Sequence, residues 1–297
     1  MESATHLRRQ IELAEELGSV TGTMKSLAAV TIHQYEHSLH SLHEYVRAVE
    51  LGLQIVLRGH ADLVDQLTAA PPDAPVRVLV LGSERGLCGP INRVIAAEAR
   101  AHVDALATGP VDVVVSGTRL GAEVEAVGLA PVAVFPGPVS AAGITDLVED
   151  LLVHLDAWRA GVGAGRVVVV HPRTRLGGRQ YAPVASPLLP LGRDRLTQLA
   201  VSRWPTNQLP AWHGDRGVVV AALARQLVLV DLHRAQAETQ VCVHRARLAA
   251  MQGAEDAIAE RLEQLSTRYH RQRQARITEE LLDVIAGYES VGGPDRR

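Results

Sequence analysis

Aromatic residues make up only 3% of the 297 residues, so an interior must be filled by Val, Leu, Ala and Ile, and the 47% hydrophobic content allows one of good size. Cysteine is nearly absent. Cys88 and Cys242 lie far apart in sequence, which leaves no readable disulfide framework and points to a reducing, cytoplasmic compartment. The net charge of −3 gives no electrostatic footprint for nucleic acid. No apolar run approaches the roughly 18 residues of a transmembrane helix. Residues 1–10 are polar and charged rather than a signal peptide, so membrane association would come through a partner. Proline is missing from two long stretches, 5–67 and 224–290.

The second of these stretches organises the chain. From Leu227 the apolar positions recur at spacings of three and four: Leu227, Val230, Ala237, Val241, Leu248, Met251, Ile258, Leu262, Leu265 and Tyr269. Arg234, His244, Glu255 and Gln272 hold the same register. This is a heptad seam, and it predicts a helix that supercoils with a partner. Such a helix is about 100 Å long at 1.5 Å per residue, too long to fold back into one compact core. The first proline-free stretch offers the partner, with a seam through Ile32, Tyr35, Leu39, Leu42, Val46, Val49, Leu53 and Val56. Upstream, Leu7, Ile11 and Ala14, then Val20, Met24 and Leu27, keep helical spacing with a shift of register near Gly18. One long N-terminal helix is expected, weakest at Gly18 or Gly22, paired antiparallel with the C-terminal one. Two separate amphipathic helices on a globular core are the alternative.

Between the long helices, residues 69–75 form a proline-rich break. Residues 76–81, 111–116, 131–135 and 166–171 read as strands. Helices are expected from the turn after the first strand to about residue 107, over 119–127, and over 140–158 with Ser140 as a cap. The alternation predicts an α/β, doubly wound parallel-sheet domain inserted between the two long helices. Residues 172–210 are rich in Pro, Gly and Arg and specify no element, and Gly214 and Gly217 mark the approach to the last helix. The expected organisation is a coiled-coil helix over 1–68, an α/β domain over 69–212, a second coiled-coil helix over 213–291, and a frayed tail over 292–297.

Three motifs carry candidate chemistry. The turn 82–89 follows the first strand, where α/β folds bind ligands. It lacks a dinucleotide or Walker pattern, which leaves a structural turn at Gly86, Cys88 and Gly89, a ligand site, or a nucleophilic Cys88. His33, His37, His40 and His43 recur at helical spacing, as a metal stripe or a solvated face. Arg268, Arg271, Arg273 and Arg276 form a basic section, either solvated and paired with Glu279 and Glu280 or docked on acidic loops of a partner.

The C-terminal stretch resembles the gamma subunit of F-type ATP synthases. That family shows A-R-x-x-A-M, then Y-N-x-x-R-Q-x-x-I-T-x-E-[LI]. Arg247, Ala250, Met251, Tyr269, Arg273, Gln274, Ile277, Thr278 and Glu280 fall on the pattern, and His270 replaces its Asn. Ser83, Arg85, Gly86, Leu87, Cys88, Gly89 and Asn92 match the segment S-D-R-G-L-C-G-x-x-N, with Glu84 for Asp. Arg8, Arg9, Ile11, Thr21, Met24, Ala28 and Ala29 match the N-terminal segments R-R-x-I and K-I-T-x-A-M-x-x-V-A-A. Departures occur at Ser19, where the family has Lys, at Thr31 and Ile32, at Cys242-Val243 for Ser-Glu, and at Glu255–Ile258 for T-D-N-A. They point to a divergent branch, such as the gamma subunit of an alternative ATPase operon.

The resemblance implies a non-catalytic central stalk, with no cofactor, no metal and no catalytic residue; Cys88 is structural. The paired helices would enter a hexamer of alpha and beta subunits, with Met24, Leu42, Met251, Leu262 and Leu265 at the pairing. Arg273, Gln274 and Thr278 would meet a catch loop of the hexamer. The α/β domain would sit with the epsilon subunit on the c-subunit ring, at the cytoplasmic face of a bacterial membrane, peripheral and held there only through that ring. The competing readings are an α/β enzyme with Cys88 as nucleophile and coiled-coil oligomerisation arms, and a coiled-coil scaffold.

Overall fold

The computed structural model describes residues 4–71, 73–106, 111–163, 165–175, 181–208 and 210–291. The expected tail 292–297 lies outside them. Helix α1 (Ala4–Leu57) is followed by α2 (Ala61–Thr68). Then come β1 (Val76–Leu81), α3 (Ile91–Ala105), β2 (Val111–Ser116), α4 (Thr118–Ala126), β3 (Pro131–Phe135), α5 (Gly143–Val162) and β4 (Arg166–Thr174). The chain ends with β5 (Tyr181–Leu189), α6 (Arg193–Val201) and α7 (Arg216–Val291). It forms two compact units, residues 28–247 and residues 1–27 with 248–297. Both long helices contribute to each. Among the described residues no helix is long and apolar enough to cross a membrane.

In the unit 28–247, five strands form one sheet in the order β3-β2-β1-β4-β5. The first four are parallel, but β5 runs antiparallel to β4, which corrects the expectation of an all-parallel sheet. The connection from Thr174 to Tyr181 is too short for the crossover that a parallel pair requires. Helix α6 likewise falls in the stretch left unassigned. Val78, Val80, Val113, Val115 and Val170 pack with Ile91, Ile95, Leu120 and Val124 of α3 and α4. Leu79, Leu81, Val114, Val167 and Val169 pack with Ile144, Val148 and Leu151 of α5, and with Leu53 and Leu227 from the long helices.

Helix α1 stops at Leu57 rather than running to residue 67; α2 is a separate helix that buries Val64. Ser140 is not the cap of α5. The cap position is Ala142, and the Ser140 hydroxyl accepts a bond from the Gly143 N–H at 3.3 Å. The expected α1 seam is buried at Ile32, Tyr35, Val46, Val49, Leu53 and Val56. Tyr35 stacks on His244 at 5.7 Å, Tyr45 donates to Gln226 at 2.7 Å, and Gly52 faces Leu223. Numbers rise along α1 as they fall along α7, so the two run antiparallel in this unit.

In the unit 1–27 with 248–297 the pairing is sparser. Leu7, Thr21, Met251 and Leu265 are buried. Val20 and Leu27, expected at the seam, are instead 57% and 62% exposed. The steps Leu7, Ile11, Ala14, Gly18, Thr21 and Lys25 keep one unbroken heptad spacing, none of them fully exposed. The register therefore does not shift at Gly18; small and polar residues occupy the seam there. Lys25 pairs with Glu255, and both stand at seam positions. A Cβ on Gly22 would lie 3.2 Å from Glu255 Oε1, so glycine makes room for that carboxylate. Gly18 faces Ile258, so here too the helices run antiparallel.

Candidate functional site

The turn from β1 into α3 is held by its own side chains. Asn92, at the start of α3, accepts from the Ser83 N–H at 3.1 Å and donates to Ser83 Oγ at 2.7 Å. Ser83 Oγ donates to the Arg85 carbonyl at 2.9 Å. Leu87 and Gly89 take left-handed backbone angles, φ 61° and 60°, which reverse the chain. Gly86 and Gly89 are exposed. Cys88 is buried, its Sγ 3.4 Å from Ser83 Oγ and 3.6 Å from the Arg85 carbonyl that it faces as donor. A buried thiol turned toward a carbonyl and a hydroxyl packs the turn.

Glu84 decides against a phosphate loop. Its Oε2 accepts from the Thr118 N–H at 2.9 Å and the Gly137 N–H at 2.8 Å, and its Oε1 from Thr118 Oγ1 at 2.9 Å. Thr118 opens α4, so this carboxylate already sits where a helix N-terminus would receive an anion. Burial works against its charge, but the bonds from Gly137 and Thr118 outweigh that and hold its pKa below the usual carboxylate value.

Arg247 ties this turn to α7. Its Nη2 lies 3.5 Å and 3.4 Å from the Arg85 and Gly86 carbonyls, and its Nη1 is 3.1 Å from His244 Nδ1. Burial, then the Arg247 charge, lowers the His244 pKa to about 4, so the ring is neutral and accepts that bond. Burial also raises Tyr35, stacked on His244, to about 12.

The other sequence-picked residues are spread along the helices. Met251 and Leu265 are buried; Met24, Leu42 and Leu262 are half-buried. Arg273, Gln274 and Thr278 are exposed. Thr278 Oγ1 donates to the Gln274 carbonyl at 3.0 Å, which leaves its lone pairs outward. Arg276 is paired with Glu280 at 2.9 Å, while Arg268 and Arg271 are exposed beside Arg273. Beyond them Leu281, Leu282, Val284 and Ile285 are 53–70% exposed, as are Leu13 and Leu17 of α1 at 52% and 60%. His33, His37, His40 and His43 are exposed, and among the described residues no group of three or more His, Cys, Asp or Glu is placed to hold a metal.

Sequence reasoning missed the roles of Glu84, Arg247 and the Lys25–Glu255 pair. Opposite charges at seam positions of two antiparallel helices would have signalled the last.

The sequence profile of the family described as ATP synthase matches residues 3–291. An ATP synthase gamma chain of Gluconobacter oxydans is 27% identical, covering 98% of this chain and 100% of the relative. One from Ralstonia nicotianae is 24% identical over the same shares. In structure, the chain is similar to a chain of the Euglena gracilis mitochondrial ATP synthase, OSCP/F1/c-ring, with a TM-score of 0.66, 13% identity and coverage of 99% and 98% of the two chains. It is also similar to a chain of the Tetrahymena thermophila mitochondrial ATP synthase central stalk and c-ring, with a TM-score of 0.55, 14% identity and coverage of 79% and 99%. At those identities the structures attest the fold. Matched almost end to end by the family profile and by gamma chains along their whole length, the chain belongs to the ATP synthase family as a gamma subunit.

Proposed function

We propose that this gamma subunit is the rotor shaft that couples an ion-driven c-subunit ring to the alpha/beta hexamer, at the cytoplasmic face of a bacterial membrane and attached to it only through that ring. The observation that carries the reading is the unit 1–27 with 248–297. Its helices pair through Met251, Leu265 and the Lys25–Glu255 contact, yet leave Leu13, Leu17, Leu281, Leu282 and Ile285 in solvent. Exposed apolar side chains on α1 and on the last turns of α7 suit enclosure by a partner. Alpha and beta subunits enclose it in this reading, while the unit with the sheet meets epsilon and the c ring.

The long helices act as an antiparallel coiled coil over 1–68 and 213–291, around a doubly wound α/β domain over 69–212. Helices α3 and α4 on one face of its sheet and α5 on the other support that description. Met24, Leu42, Met251, Leu262 and Leu265 serve the pairing. Arg273, Gln274 and Thr278 present donors and acceptors to the hexamer. Rotation changes nucleotide affinity only where such contacts differ between rotor angles, since uniform binding shifts no equilibrium.

The test is co-expression with alpha and beta subunits from the same genome. Co-purification, with ATP hydrolysis that drives ion transport in membranes, is expected. A chain that never associates with alpha and beta refutes the shaft.

A further inference from the structure

Helix α6 lies in the stretch the sequence left blank, and its contacts single it out. It follows β5 directly and is seated by Leu196, wholly buried in the core beside the long helices. Arg193 ties it to Asp65 of α2 at 2.7 Å. On its other side Arg195 reaches both long helices at once. Its Nε and Nη2 donate to Glu50 Oε1 of α1 at 3.1 and 2.8 Å, and its Nη1 donates to Asp231 Oδ2 of α7 at 2.8 Å. One turn further on, Gln54 of α1 donates to the Ser202 carbonyl, just past α6, at 2.6 Å. All three charged groups are about a third exposed or less, at 31%, 30% and 26%, so the ties are only partly screened by water.

Glu50 and Asp231 occupy facing stations on antiparallel helices, held by one guanidinium. Burial raises the Asp231 carboxyl above its usual value; Arg195 opposes that, and the Glu50 charge adds to it. Without Arg195 two carboxylates would confront each other across the helix pair. A planar, always charged fork suits this station and Lys does not, because the fork divides its donors between two acceptors.

We propose that α6 is a clamp that locks the paired long helices to the sheet, with Arg195 as the positioning residue that carries load between them. The path runs from the sheet through β5 into α6, then through Arg195 into α1 and α7. The consequence for coupling rests on the rotor-shaft reading, since a shaft turned at its α/β domain must pass torque into its helices.

Two variants separate a load-bearing tie from simple relief of repulsion. Arg195→Gln breaks the tie and exposes the repulsion. The triple variant Arg195→Met, Glu50→Gln, Asp231→Asn breaks the tie and removes the repulsion. The readout is ion transport per ATP hydrolysed, in complexes of parental subunit content. In both variants it is expected to fall about five-fold or more, the lower end of a typical coupling effect, while thermal stability is lost in Arg195→Gln and recovers in the triple variant. Parental transport per ATP in the triple variant overturns the proposal and leaves Arg195 a neutraliser. Where Arg195→Gln fails to assemble, the triple variant alone carries this measurement. Hydrogen exchange on the chain by itself gives a readout that needs no partner. Amides of residues 193–201 are expected to exchange faster in the triple variant, with those of residues 28–57 unchanged. Unchanged protection of 193–201 would overturn the clamp whether or not the complex forms, whereas a parent chain that never joins alpha and beta refutes only the shaft.

Discussion

Residues 227–243 of α7 and residues 251–272 of the same helix follow one heptad register, yet they bury different amounts of themselves. In the first segment Leu227, Val228, Val230, Leu232, Ala235, Ala237, Val241, Cys242 and Val243 are all buried, so the helix is enclosed around most of its circumference, with Asp231, Arg234 and Glu238 a half-buried stripe. In the second only Met251 and Leu265 are buried, and the remaining seam positions are half-covered. A helix apolar around its circumference belongs to a core, while one apolar along a stripe belongs to a pair. The heptad describes both segments because it reports only the stripe they share.

That difference sets the largest expected effect. Leu227→Ala opens a cavity in a packed interior and should cost about 3 kcal/mol. Leu262→Ala removes a half-covered side chain and should cost about 1 kcal/mol. Chemical denaturation of the two variants checks the contrast. Equal losses would mean that both segments are packed alike.

Acid sharpens the same contrast. Burial lowers His171 and His244, both in the unit with the sheet, to about 4. Each is neutral when folded and protonates in the unfolded chain near pH 6.5. The unfolded state thus binds more protons between the two values, so stability falls as pH drops from about 6.5 to about 4. The loss is on the order of 3 kcal/mol per ring at the acid end. Hydrogen exchange across that range should show the sheet loosening. Replacing His244 by Gln should flatten part of the slope, and an unchanged slope would remove His244 from the account.

What the sequence disclosed follows the same line. Strands β1, β2 and β4 were legible because buried parallel strands read as apolar runs, and the edge strand β3 because it is a short apolar run although Val132 and Val134 are exposed. Strand β5 was not, because Pro183 and Pro187 argue against a strand; they are tolerated where only one side of it is paired, with β4. In α6, Leu196 alone is buried, too little to show a period. The wide burial of residues 227–243 of α7 was hidden by Gln236, Thr239 and Gln240, which are buried although polar. The register through Gly18, Thr21 and Lys25 was hidden for the same reason, since a search for apolar residues passes over a seam built from small and charged ones. At the turn, the motif located the residues, but Glu84's three bonds depend on Thr118 and Gly137, which only the fold brings near.

The Lys25–Glu255 contact is a smaller test, confined to the unit with the chain ends. Lys25 is 33% and Glu255 25% exposed, so screening leaves the pair worth about 1 kcal/mol or less. Lys25→Met leaves Glu255 unpaired over Gly22 and should loosen residues 18–27 in hydrogen exchange. Adding Glu255→Leu should restore or exceed parental protection, as apolar replacements of such pairs often do. Faster exchange spreading through the sheet would mean that the pair's effect is not confined to residues 18–27.

The smallest effect on stability, and the most informative one for function, is expected at the exposed end of α7. Arg273 and Gln274 are adjacent and point about 100° apart on a helix, whereas Thr278 lies one turn beyond Gln274 on the same face. Gln274 and Thr278 thus offer a joint hydrogen-bonding patch, and the hydroxyl's own proton is spent on the Gln274 carbonyl, so Thr278 meets a partner as an acceptor. Neither side chain is buried, so Gln274→Ala with Thr278→Ala should change stability by no more than about 0.5 kcal/mol. Assembly should survive, because Leu265 and Tyr269 at the pairing are untouched. Hydrolysis and ATP-driven ion transport should fall together if the patch meets the hexamer differently at successive rotor angles. Adding Arg273→Ala should deepen the loss, and less so at high salt, since an exposed charge is screened there. Both rates are measured in membranes carrying the variants, with subunit content checked on the same sample. Parental rates at parental subunit content would show that this end of α7 turns without gripping the hexamer through these residues.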